Sequence, residues 1–142
     1  SVGEKDLLPG VIENLTGNVL FHGIQVKPGM PTMLSVVNGT PVLSLSGNPF
    51  AVEALFEVLA GGYLTDMEAG RYLQMKILKQ TFVKTGKMKR IVKGRCDESG
   101  VYLPQIQKNG QLKNGIGSNC LVIFPEGERT YTEGEAVRVI RI

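Results

Sequence analysis

The residues best placed to do chemistry are few, and they sit in short loops. Ser46-Gly47-Asn48-Pro49 follows a strand-like run and precedes a helical one, so its backbone amides stand at a helix N-terminus, where a phosphate or oxyanion can be held. The same four residues are also what a plain helix start requires, with Asn48 as N-cap and Pro49 at the first helical position. Ser1-Val2-Gly3-Glu4-Lys5-Asp6 is a second small-residue loop ahead of helical spacing. The Asp6 carboxylate could bind a metal or orient a substrate, or it could only cap the helix behind it. Lys27, ahead of Pro28-Gly29, is the one base between Lys5 and Arg71, and reads either as an anion contact or as a solvated charge. His22 has no sequence-near carboxylate or nucleophile and reads as a strand residue. Cys96 and Cys120 lie apart without a CxxC motif in a chain with 1 His, which argues against a zinc site and for free buried thiols.

A different chemistry is suggested by Lys76, Lys79, Lys84, Lys87, Lys89, Arg90, Lys93 and Arg95, a stretch with no acid until Asp97. With Tyr72, Phe82 and Tyr102 available for stacking it could meet a polyanion, or it could be a solvated face. Charge is divided along the chain. Residues 1–70 hold 2 bases and 7 acids, whereas residues 71–142 hold 14 bases and 6 acids, as expected of two units with different surfaces. With 142 residues, 42% hydrophobic and 20% charged, the chain is too apolar to be disordered. Its longest apolar stretch, 51–64, is broken by Glu53 and Glu57 and is short of the ~20 residues that span a bilayer. Residues 1–10 lack the pattern of a signal peptide, so the expected compartment is the cytoplasm.

The elements that would position these residues follow from periodicity. Leu8, Val11, Ile12 and Leu15 have helical spacing, with Pro9 tolerable in the first turn. Val19–Val26 reads as a strand, and Thr32–Val37 and Val42–Leu45 as a hairpin about Asn38-Gly39. Val52, Leu55, Phe56 and Leu59 share one face of a helix that Gly61-Gly62 should stop. Strand, tight turn and helix in this order indicate an α/β sheet. Beyond Arg71 the texture becomes short strands: 72–83, 88–96, 101–107, 120–124 and 136–142. These predict a small all-β barrel or sandwich. The α/β part is short for its class, which predicts a missing N-terminal portion.

Three ordered segments, SVGEKD at 1–6, VKPGMP at 26–31 and SGNPFA at 46–51, precede a tail ending in SNCLVIFPEGERTYTEGEAVRVIRI. Together they resemble the molybdopterin molybdenumtransferase family, that of MoeA and the gephyrin E-domain, whose pattern reads approximately GGxSxGxxD, KPGxP and LPGNPVSA before a C-terminal barrel. Three motifs in order are far more specific than any one. The resemblance implies an α/β fold. A partial molybdopterin-binding, MogA-like three-layer domain would occupy residues 1–68, and a small β-barrel domain residues 69–142.

The implied function is molybdenum cofactor biosynthesis: insertion of molybdate into adenylylated molybdopterin by a magnesium-dependent homodimer that receives its substrate from a molybdopterin adenylyltransferase. It also implies no membrane and no nucleic-acid partner. On the matching positions, Asp6 would be the catalytic and Mg²⁺-binding carboxylate. Ser1 and Gly3 would meet the pterin phosphate, Lys27 would form an anion-binding wall, and Gly47, Asn48 and Pro49 would shape the molybdate loop. Ser46 stands where the family has proline, and Met30 where many relatives have a second lysine. With the upstream half of the pterin domain absent, turnover is expected of the full-length enzyme and not of this polypeptide alone. The rival expectation is a non-catalytic, truncated relative that serves as a protein-interaction module. The central expectation is spatial: the turns at 1–6 and 46–49 converge, with Lys27 beside them.

Overall fold

The computed structural model describes residues 6–64, 73–104 and 117–142. The chain opens with helix α1 (Leu8–Asn14). Asp6 lies one residue ahead of the position from which a cap usually acts, yet its Oδ1 accepts from the Leu8 amide at 3.2 Å. Strands β1 (Asn18–His22), β3 (Met33–Val37) and β4 (Thr40–Ser44) form an antiparallel sheet in the order β1-β3-β4. The β3–β4 turn is the expected one. Asn38 and Gly39 both take positive φ, +50° and +79°, as a tight hairpin of this twist demands. Against this sheet α1 buries Ile12, close by Gly17 and Val37.

The strand expected over Val19–Val26 is interrupted. Gly23 adopts φ +88°, and only Val26–Lys27 (β2) resumes extended pairing, now with a different sheet. Its partner is β7 (Lys89–Cys96), a strand of the β-rich part, and the pairing is parallel. The other strands there are β5 (Leu73–Ile77), β6 (Phe82–Lys84), β8 (Val101–Tyr102), β9 (Cys120–Phe124), β10 (Arg129–Tyr131) and β11 (Ala136–Arg141). The sheet order is β2-β7-β9-β11-β5, with β8 attached to β7, and β6 and β10 form a separate two-stranded ribbon. Among the described residues this sheet is open, with β2 and β5 at opposite ends. The fold is thus mixed α/β, but the closed barrel expected from the spacing of short strands is not what these strands form.

Helix α2 (Pro49–Phe56) begins as the sequence predicts: Asn48 Oδ1 accepts from Ala51 N at 3.2 Å and Pro49 occupies the first turn. It does not stop at Gly61-Gly62. A π-helical turn, Glu57–Gly61, carries it on to Leu64, with Gly61 buried and Gly62 holding right-handed helical angles, φ −62° and ψ −36°.

Both faces of the large sheet are covered at its centre, and β9 (CLVIF) is accordingly apolar without alternation. On one face Val92, Cys96, Cys120, Val122, Phe124, Tyr131, Val137 and Val139 pack together, with Phe82 stacked on Phe124 at 4.5 Å. On the other, Ile91, Leu121 and Ile140 meet Ala54 and Leu55 of α2, joined by Ile24, Val26, Leu45 and Phe50. The α/β part and the β-rich part therefore share one core layer. Cys96 and Cys120 are both free and buried, as expected. Among the described residues no helix is long and apolar enough to cross a membrane.

Candidate functional site

The cavity where the predicted residues meet is made by two loops and a helix end. After β2 the chain turns through a cis Lys27-Pro28 bond and Gly29, whose φ is +104°. The Met30 carbonyl accepts from Ile24 N at 2.9 Å and the Gly29 carbonyl accepts from the Thr32 hydroxyl at 2.7 Å, which pins the loop at both ends. Gly29 is required sterically. A Cβ there would lie 2.1 Å from Leu55 Cδ1, so the loop is seated directly on α2. Between loop and helix lies a cavity of about 360 Å³, lined by Val26–Pro31, Asn48, Ala51 and Met88.

Lys27 and Asn48 thus line one cavity, while of the expected third partner, the turn at 1–6, all but Asp6 lies outside the described residues. Of the amides in the first turn of α2, Pro49 has none and Ala51 N is taken by Asn48, which leaves Phe50 N without an acceptor among the described residues. Gly47 is exposed beside this turn with open space where a side chain would be, and Pro49 is exposed at the first helical position. The walls are mostly apolar, with one ammonium group and one helix end as the polar features. That combination suits a flat, largely apolar ligand with an anionic end.

Asp6 is not among the lining residues. Its Oδ2 lies 3.9 Å from His22 Nε2 at the end of β1. The next residue, Gly23, donates to the Thr32 carbonyl at 2.8 Å, so Asp6 and the 27–31 loop flank the same strand end without sharing one wall. The Leu8 amide, and more weakly the His22 ring, hold the Asp6 carboxyl below its ordinary value. Ser1 and Gly3, expected to meet the pterin phosphate, lie outside the described residues.

Two residues were missed from sequence. His22 is the partner of Asp6, and only the path of the chain through α1 brings them together. Arg90 is the register partner of Lys27 in the parallel β2–β7 pair, so both cations project to the same side of the sheet. Neither meets an acid among the described residues. The basic stretch contained Arg90, but nothing in its spacing separated it from its neighbours. Those neighbours take unrelated partners: Lys84 is 1% exposed and donates to the carbonyls of Gly86 and Gly127, Lys89 pairs with Glu126, Lys76 meets the Asp97 carbonyl, and Lys93 pairs with Glu53. The stretch is dispersed and does not form one charged face.

Comparison with known proteins agrees with the motif order. Residues 1–66 match the family model described as a probable molybdopterin binding domain. The chain is 28% identical to the molybdopterin molybdenumtransferase of Staphylococcus aureus (strain COL) over 148 residues, covering 99% of this chain and 35% of the relative. For the enzyme of that name from Bacillus subtilis (strain 168) the figures are 28% over 150 residues, 100% and 35%. The crystal structure of the molybdopterin biosynthesis MoeA protein from Pyrococcus horikosii superposes with a TM-score of 0.77 at 28% identity, covering 96% of this chain and 34% of that one. The chain therefore spans about a third of the length of the curated relatives it matches. In motif order, sequence and fold it is similar, over nearly its whole length, to molybdopterin molybdenumtransferases (MoeA).

Proposed function

We propose that this chain contributes the oxyanion-holding part of a site that inserts molybdate into adenylylated molybdopterin during molybdenum cofactor biosynthesis. The single observation that supports the reading is that Lys27 and Asn48 line one cavity, between a loop held by Gly29 and the start of α2. Lys27 supplies a fixed positive charge, Asn48 fixes the helix start, and Phe50 N is the amide donor left for an oxyanion. Arg90 is the register partner of Lys27 but is not among the residues that line the cavity. The apolar walls of Val26, Pro28, Pro31 and Met88 exclude water and accommodate the ring of a pterin. Gly47, without a side chain, lets a ligand approach the turn closely.

Asp6 is the candidate Mg²⁺ ligand. Among the described residues no group of three metal-binding side chains forms, and Asp6 would act as one carboxylate of the set. That fits Mg²⁺, which commonly takes one or two carboxylates and completes its shell with phosphate oxygens and water. The ion would neutralise phosphate charge there, while Asp6, kept ionised by the Leu8 amide, would hold it in place. Residues 1–68 and 69–142 correspond on this reading to the pterin domain and to the β-barrel domain of the longer enzyme. The longer enzyme acts in the cytoplasm as a homodimer, supplied by a molybdopterin adenylyltransferase.

The test is made in a full-length relative carrying this chain as its corresponding part. Lys27→Ala and Asp6→Ala should each lower molybdenum insertion while the unfolding temperature stays within about 2 °C, the scale of a surface substitution. Equal losses of insertion and of stability would assign both residues to the scaffold and overturn the reading.

A further inference from the structure

The anion site has two walls, and both are held by one strand. The 27–31 loop is carried by β2, which pairs with the start of β7 at Lys89 and Arg90. Three residues farther along the same strand, about 10 Å at ~3.3 Å per residue, stands Lys93. Its Nζ lies 2.6 Å from Glu53 Oε2 and 5.5 Å from the centroid of the Phe50 ring. Phe50 and Glu53 are one helical turn apart on α2, and Phe50 carries the amide left unbonded at the helix start. Lys93 is 18% exposed and Glu53 41%, so this pair is screened less than an ordinary surface contact.

We infer that Lys93 is a positioning residue of the anion site: by gripping Phe50 and Glu53 from β7 it fixes the first turn of α2 at a set distance from Lys27, and so sets the width of the cavity. The inference rests on the anion-site reading above. An amide at a helix end is effective only within the first turn and only when aimed at the ligand, so a small displacement of that turn weakens binding without unfolding anything. The ring contact and the ion pair act on adjacent residues of the turn, so they resist its rotation as well as its translation.

The probe is sodium tungstate, titrated calorimetrically into this chain, alongside amide hydrogen exchange followed residue by residue. Lys93→Met, which keeps the aliphatic stem, should weaken tungstate binding about three- to tenfold, the range of one partly buried ion pair plus a ring contact. It should speed exchange at Ala51 N while leaving the amides of β9 and β11 as they are. Glu53→Gln should do the same more weakly, and stands in for Lys93→Met if that variant does not fold. The exchanged pair Lys93→Glu with Glu53→Lys should restore the Ala51 exchange rate. Unchanged binding and unchanged Ala51 exchange in both single variants overturn the inference, as does acceleration spread equally over β9 and β11. A wild-type chain that takes up no tungstate overturns the anion-site reading instead, and the exchange measurements then decide the role of Lys93 alone.

Discussion

Replacing Gly29 by alanine places a methyl group where the structure has none to spare. The added Cβ would stand 2.1 Å from Leu55 Cδ1 and 2.9 Å from its Cγ, and Leu55 is fully buried in the layer shared by α2 and the large sheet. The Leu55 side chain cannot swing aside into solvent; it must press on Ile91, Leu121 and Ile140, or the loop must lift off. Overpacking of this kind costs about 1–3 kcal/mol. The backbone adds to it. Gly29 has φ +104°, a region that an L-residue enters at a cost of about 1 kcal/mol. The expected loss is about 2–4 kcal/mol, a fall in unfolding temperature of roughly 6–15 °C for a chain of this length. Leu55→Ala alone should cost about 2–5 kcal/mol through its cavity, but it empties the space the new methyl needs. The double variant should therefore be more stable than the sum of the two losses by at least about 1 kcal/mol. Urea unfolding of the four proteins measures this. A Gly29→Ala chain within about 0.5 kcal/mol of the parent, or strictly additive losses, would show that the loop does not rest on Leu55.

Lys84→Met should lower stability by about 1–3 kcal/mol in the same assay, because it removes the hydrogen bonds that the buried ammonium donates to the carbonyls of Gly86 and Gly127; an unchanged midpoint would mean that those two contacts contribute nothing. The Thr132 amide and hydroxyl, with Arg129 beside them, hold the Glu135 carboxyl below its ordinary value. A depressed carboxylate stabilises the fold above the unfolded-state value of about 4.3 and loses that contribution as pH falls through the folded-state value, so Glu135→Gln should flatten the acid side of the stability profile. An acid limb as steep as the parent's would refute this. Burial pushes the Cys120 thiol up to about 12, with the nearby Cys96 sulfur acting in the same direction. A thiol reagent at pH 8 should therefore find no reactive sulfur in the folded chain and two after denaturation; rapid labelling of the native protein would contradict the packing.

What could be read from the sequence was local. The Asn38-Gly39 turn and the Asn48-Pro49 helix start depend on residues within four positions, and both stand as expected. Lys27 and Asn48 meet because the 27–31 loop rests through Gly29 on Leu55 of α2, a contact between distant segments. The sequence did not reveal partners set by the path of the chain. Nothing near His22 announced Asp6, and nothing in a run of eight bases announced that Arg90 would lie beside Lys27 while Lys84 went inside. Gly61-Gly62 failed as a stop signal for a related reason. Glycine weakens a helix by only about 1 kcal/mol, and here Gly61 is itself packed into the helical turn. Short strands at regular intervals predict closure poorly, because spacing does not specify which strands end up at the edges.

The two-residue strand Val26–Lys27 has a practical consequence for anyone dividing this polypeptide. Similarity to a pterin-binding module stops at residue 66, which invites cutting the gene there. Such a cut would deprive Val26 and Lys27 of the strand they pair with, and would lay Leu55 and Ala54 bare to water along the seam where Ile91, Leu121 and Ile140 had covered them. The boundary of the similarity and the mechanical one do not coincide, so each half expressed by itself should come out sticky and poorly folded.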